Sequence, residues 1–153
     1  MTQYAARTQV SVEKSKGEIE RTLRRYDADG FMYATQGDSA MVQFTKAGRM
    51  IRLVFQQRPI EDFRLTDTGR ERSYSVMEKE WEQAGRQVWR AVALWIKAKL
   101  EAVESGITTF EDEFLSHTVL PSGQTVSDWL QPQMEYAIEG KLMPKMLELG
   151  TGK

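Results

Sequence analysis

From Ser75 to Ser105, inside its longest run without proline, the chain reads SVMEKEWEQAGRQVWRAVALWIKAKLEAVES, which holds three of the four tryptophans. Ser75 and Glu78 have the S-x-x-E spacing of a capping box, and Gly106 stands where a C-terminal cap belongs. Trp81, Ala84, Val88, Ala91 and Trp95 recur at steps of three and four, which is one helical face. Trp89, Val92, Ile96, Leu100 and Val103 make a second, overlapping face. A stripe this broad predicts contact on two sides, against a sheet and against other helices or a second copy of the chain. At about 1.5 Å per residue, such a helix is on the order of 45 Å long. Whatever else the chain does, it must supply apolar partners along that rod.

The preceding segment supplies them. Ser15 and Glu18 form a second capping box, predicting a helix through about Ala28 with Ile19, Leu23 and Tyr26 inward and Gly30 as its stop. The apolar period then changes to two: Phe31 and Tyr33, then Ala40, Val42 and Phe44, then Ile51, Leu53 and Phe55. Turns at Gln36-Gly37-Asp38 and Lys46-Ala47-Gly48 separate these runs, the pattern of a three-stranded antiparallel meander. Its apolar face should lie on the long helix, and Gln43, Thr45, Arg52 and Gln56 should face water.

The remaining segments carry weaker signals. Residues 1–14 read as a tail or a short strand. Gln57 to Ser73 has no period, and a loop of this length is uncommon unless functional or disordered; Phe63 and Leu65 are the side chains that could pin it. Thr108 and Glu111 open a short helix bearing Phe110, Phe114 and Leu115, followed by a small hairpin around Pro121-Ser122-Gly123. A further helix carries Trp129 and Leu130; Pro132 opens its next segment, with Met134 and Ile138 inward and Gly140 as the stop. Residues 143–153 read as a frayed tail. The fold class is therefore a single α+β domain: a three-stranded antiparallel meander packed on a long central helix, with a helical C-terminal third.

Composition removes several functions. Without cysteine there is no thiol catalysis, thiolate zinc site or disulfide, which fits a reducing cytoplasm. Arg90 and Lys97 interrupt the most apolar run, so no segment approaches the ~18 residues that span a bilayer. A net charge of -1 argues against a general polyanion binder, but the charge is uneven. Met1 to Ser75 carries 13 Lys/Arg against 10 Asp/Glu, and Val76 to Lys153 carries 8 against 12.

Four motifs suggest chemistry and fail on spacing or context. Asp27-Ala28-Asp29-Gly30 resembles the start of a calcium loop, but Met32 and Asp38 occupy the places of its required glycine and glutamate. Gly150-Thr151-Gly152-Lys153 lacks the upstream glycine of a phosphate loop and opens no helix. His117, the one histidine, has no nucleophile elbow to serve. Glu111, Asp112 and Glu113 fit the first turn of a helix, where carboxylates complement the dipole, without any metal. No cofactor is expected. The tryptophans, at helical spacing among aliphatic neighbours, read as core rather than as a ligand cage. Truncating Trp81 or Trp95 is then expected to cost roughly 3–5 kcal/mol.

The basic residues are the remaining candidates. Arg21, Arg24 and Arg25 lie off the first helix's apolar stripe; Lys46, Arg49 and Arg52 belong to the second hairpin; Arg58, Arg64, Arg70 and Arg72 follow in the loop. With Tyr26, Tyr33 and Tyr74 nearby in sequence, they suit phosphate contact with base stacking. The competing reading is ordinary solvated charge, because Glu61, Asp62, Asp67 and Glu71 interleave with the loop arginines. The order helix, three strands, helix resembles a double-stranded RNA-binding domain. Glu78, Glu80 and Glu82, however, stand where such a domain places lysines at its second helix.

Several stretches, VSVEKSKGEIERTLRRY, GRMIRLVF, WEQAGRQVWRAVALWIKAKLEAVESGITTFEDEFL and LPSGQTVSDWL, resemble a family of small uncharacterised proteins encoded by tailed bacteriophages and prophages. The resemblance runs from about Thr2 to Pro144 and departs at Gln56-Gln57-Arg58-Pro59, where the family is more apolar and proline-rich. It brings no catalytic motif. It implies a phage product acting in the host cytoplasm near DNA handling or host takeover. Two expectations follow: a non-enzymatic accessory factor binding DNA or a DNA-handling complex, and a protein-binding inhibitor of a host defence system or polymerase, of the anti-CRISPR type. An undetected enzyme is the third. The width of the long helix would also allow a homodimer through it.

Overall fold

The computed structural model describes residues 4–140, and its order is α1 (Val12–Arg25), β1 (Gly30–Gln36), β2 (Ser39–Lys46), β3 (Arg49–Gln56), a 3-10 turn (Ile60–Phe63), α2 (Tyr74–Glu104), α3 (Phe110–Glu113), a second 3-10 turn (Leu115–His117) and α4 (Val126–Gly140). The fold is α+β, with an open antiparallel sheet in the order β1-β2-β3 and a long central helix. The expectations for residues 143–153, including the Gly150–Lys153 motif, fall outside the described residues. Among the described residues no helix is long and apolar enough to cross a membrane.

Alternation along the strands decides which face is covered. Phe31, Phe44 and Ile51 stand opposite one another across the sheet, as do Tyr33, Val42 and Leu53, and then Thr35, Ala40 and Phe55. Two-residue turns hold this register. Ala47 and Gly48 both take left-handed backbone (φ 51° and 71°), the requirement of a type I′ hairpin, and Ala47 does so at a cost of about 1 kcal/mol.

The second face of α2 is the buried one. Trp89, Val92, Ala93, Ile96 and Leu100 enter the core with Ile19 and Leu23 of α1 and Val42, Phe44 and Ile51 of the sheet. Trp89 stands edge-on to Tyr33 at 6.1 Å and to Phe55 at 5.1 Å, joining the two outer strands to the helix. The first face is only partly covered: Trp95 is half-buried and Trp81 is 38% exposed, its indole N–H donating to the Arg58 carbonyl at 3.1 Å. The expected loss for Trp81→Ala is corrected accordingly, since little apolar area is removed from the core.

Helix ends follow the sequence in one case and depart from it in four. The first departure is α3, which is capped by Thr109, its hydroxyl accepting from Asp112 N–H, rather than opened by Thr108. Gly106 adopts φ 71° with Ile107 N–H donating to Ala102 O and Gly106 N–H to Val103 O, a Schellman stop for α2. At the other end Ser73, not Ser75, is the N-cap, and it makes no side-chain capping bond. α1 begins before Ser15: Ser11 caps it, its hydroxyl accepting from Lys14 N–H at 3.1 Å. Its stop is Asp27, left-handed at φ 57°, with Ala28 N–H donating to Leu23 O, and not Gly30. Ser15 is fully buried, and its hydroxyl has no hydrogen-bond partner among the described residues.

Residues 57–73 are ordered by three anchors. Phe63 is buried, Leu65 pairs with Glu71 in an isolated bridge, and the Arg72 guanidinium donates to Phe63 O and Leu65 O. Leu65 itself stays 44% exposed, so of the two apolar side chains expected to pin the loop only Phe63 is buried. Among its described residues the N-terminal segment forms no strand; Gln83 donates to the carbonyls of Ala6 and Thr8 and holds them along α2.

The C-terminal third closes one end of the core. Phe114 packs against Phe44, Trp95 and Phe110, and Thr118 bridges Ile51 at the β3 edge. α4 is a single helix with Pro132 inside it, capped by Thr125, whose hydroxyl accepts from Asp128 N–H while Asp128 accepts from Thr125 N–H. Met134 and Ile138, expected inward, are exposed, because α4 touches the body chiefly through the turn at Leu115–His117. The outer sheet face is also less polar than expected, since Met32, Met50 and Val54 share it with Gln43 and Arg52.

Two stability predictions follow from this packing. Trp89→Ala should lose about 3–5 kcal/mol and Trp81→Ala about 1 kcal/mol in denaturant unfolding; equal losses would contradict the assignment of the buried face. Ser15→Ala should be neutral or stabilising by up to about 1 kcal/mol, because it removes an unsatisfied buried hydroxyl; a clear loss of stability would mean that the hydroxyl is satisfied.

Candidate functional site

The ten basic residues expected to form one binding surface are divided by the fold. Arg24 pairs with Glu20 one helical turn away at 2.6 Å, and Arg49 pairs with Glu111 at 2.9 Å. Lys46 donates to the Tyr26 carbonyl, closing the end of α1 onto the hairpin. Arg52 spans Gln43 Oε1 and Gly123 O, fastening the C-terminal turn to the sheet. Arg58 reaches Asp62 at 3.3 Å and lies over the Phe63 ring at 4.4 Å, and Arg72 is held by two loop carbonyls. Arg64 and Arg70 are exposed in the loop, and their guanidinium groups have no partner among the described residues. Six of the ten therefore have partners within the fold, and of these Arg24 and Arg58 make exposed pairs one helical turn away.

Arg21 and Arg25 are brought together with cations that the sequence reading did not select. They stand one turn apart on α1 and line a groove of about 310 Å³ whose opposite wall is Arg90, Ala93, Leu94 and Lys97 of α2. Arg90 is turned toward Glu18, with which it pairs across the two helices. Arg21 and Lys97 make no ion pair or hydrogen bond among the described residues, and Arg25 touches only the Tyr26 ring, 5.6 Å from its centroid. Ala93 and Leu94 add the apolar part of that wall, Leu94 being 44% exposed. One end of the groove is bounded by the Arg90–Glu18 pair. Beyond Tyr26 at the other, the Glu101 carboxylate accepts a hydrogen bond from the Tyr26 hydroxyl, and Glu104 adds negative charge nearby. That acceptance pushes the phenol above its ordinary value and keeps it neutral.

Sequence spacing could have found half of this cluster. Arg90 and Lys97 lie seven residues apart, which is two turns of one helical face, as well as interrupting an apolar run. Their meeting with Arg21 and Arg25 depends on how α1 crosses α2, and no local pattern carries that.

Other candidates disperse. Glu111 goes to Arg49, Asp112 accepts from the Thr109 hydroxyl at 2.9 Å, and Glu113 pairs with Lys99 at 2.5 Å, so the acidic trio has three separate partners. His117 packs edge-on against Trp95 at 5.0 Å. Burial pushes its imidazole below the ordinary 6.5, with Lys99 adding to the lowering and a hydrogen bond to the Arg52 backbone opposing it. The unfolded chain thus takes up a proton that the folded chain resists. This contribution to stability is intact above about pH 6.5 and is lost as pH falls below it. An NMR titration should place the His117 midpoint below 6.5, and His117→Gln should flatten the acid limb of stability; a midpoint at or above the ordinary value would contradict the burial.

In comparisons with protein-family models, curated proteins and solved structures, the chain matches none of them.

Proposed function

We propose that this chain is a non-enzymatic, phage-encoded accessory protein that binds DNA, or a complex handling DNA, in the host cytoplasm. The observation that carries the reading is the groove between α1 and α2, where Arg21, Arg25 and Lys97 converge without an acidic partner among the described residues. Three guanidinium and ammonium groups on two rigid helices present fixed positive charge to a phosphodiester backbone, and binding releases the counterions condensed there. The groups with displaced pKa, Tyr26, Tyr33, His117 and Asp128, are scattered over the molecule, which supports binding rather than acid-base chemistry.

A second reading, an inhibitor that binds a host defence protein or polymerase, is favoured by α4. Trp129, Met134, Tyr136 and Ile138 are exposed along it, and Asp128, Glu135 and Glu139 are its charged residues, so this helix offers apolar contact with acidic edges.

Fluorescence anisotropy with labelled DNA separates the two. With about three phosphate contacts, the logarithm of affinity should fall against log salt with a slope of about −3, a loss of roughly 40-fold or more between 50 and 200 mM. Arg21→Glu, Arg25→Glu and Lys97→Glu together should abolish binding, whereas Arg64→Glu with Arg70→Glu should leave it nearly unchanged. No binding at low salt by the wild-type chain would leave the inhibitor reading in front.

A further inference from the structure

Resting on the nucleic-acid reading, we infer that the α1/α2 groove takes double-stranded DNA in preference to single-stranded DNA, holding it by phosphates alone. Single-strand sites combine a cationic track with exposed aromatic rings on which successive bases stack. The groove has the first component and lacks the second. Tyr26 lies in its wall but is 7% exposed, its hydroxyl is committed to Glu101, and the Arg25 guanidinium covers its ring. Tyr33 is turned into the core against Trp89, its hydroxyl donating to the Lys16 carbonyl at 2.7 Å. Tyr74 sits at the first residue of α2, sixteen positions before Arg90, roughly 24 Å along the helix. The exposed Trp81 is nine positions before Arg90, or about 13 Å, and it lines a different cavity with Ser11 and Gln57.

The cations are arranged for a stiff ligand. Arg21 and Arg25 lie about 6 Å apart along α1, and Arg90 and Lys97 about 10 Å apart along α2. The sheet fixes both rows, because α1 and α2 share its core. A duplex presents one charge per ~1.7 Å of axis on a rigid frame, against ~3.4 Å for one strand, so it meets such rows without being ordered first. The acidic limits at Glu18 and Glu101 keep the footprint to a few phosphates, and the groove offers no aromatic ring free to stack on a base.

The test measures anisotropy for the full chain with a labelled 20-base-pair duplex and with an unstructured oligothymidine of equal length, both at 20 mM salt. The expected result is duplex binding tighter by about fivefold or more, with scrambled duplexes equal to one another, as phosphate-only contact requires. Oligothymidine binding as tightly as the duplex, or more tightly, would overturn the inference while leaving the nucleic-acid reading in place. Absence of binding to both, or a triple variant at Arg21, Arg25 and Lys97 that binds like the wild type, would overturn the reading itself.

Discussion

The indole of Trp89 holds this molecule together. It is 1% exposed and meets Tyr33 and Phe55, which belong to opposite edge strands, so one side chain ties the full width of the sheet to α2. The sheet has one apolar face, and packing α2 across it removes that face from water. Lys16 of α1 lies 4.7 Å from the same ring, adding a cation to its face and drawing the first helix alongside. Once Trp89 is seated, Ile96 and Leu100 follow at helical spacing toward Phe114, and the core is closed at its far end.

The groove is a by-product of that packing. Two helices that share a core must diverge at their outer surfaces, and the side chains on the facing shoulders line the channel between them. Arg90 and Glu18 join the shoulders at one place; Arg21, Arg25 and Lys97 are left over. Elsewhere the fold spends cations on carbonyls and carboxylates. Arg52 on the C-terminal turn, Arg72 on the loop and Lys46 on the end of α1 satisfy backbone oxygens that no secondary structure reaches. A nearly neutral chain can thus keep a local positive site, because charge is sorted by position rather than by total.

α4 has the opposite character. It is capped by Thr125 and Asp128, yet its tryptophan and large aliphatic side chains meet little of the body. The molecule therefore carries a cationic groove between α1 and α2 and, separately, an apolar and acidic helix. Under the reading proposed here the first contacts phosphate, and the second is where a protein partner would find hydrophobic area.

Much of the fold was legible in the sequence because it is encoded locally. Alternation at period two placed the three strands, period 3.6 placed α2, and Gly106 marked its end because a left-handed stop favours a residue without Cβ. Caps were read less well: Ser15 and Ser75 have the right spacing but lie inside their helices, where Ser11 and Ser73 stand at the true starts, and an S-x-x-E pattern does not say which serine lies outside the first turn. Which face of α2 would be buried was undetermined, since both stripes are apolar and only the sheet chooses Trp89 over Trp81. The binding residues were legible only by type. Whether an arginine is free or tied depends on acids and carbonyls brought near from distant segments, as Glu111 is to Arg49 and Gly123 to Arg52. Local periodicity therefore determined the elements of this protein, while its cationic groove was decided by the crossing of α1 over α2, because long-range packing alone sets which charges remain unpaired.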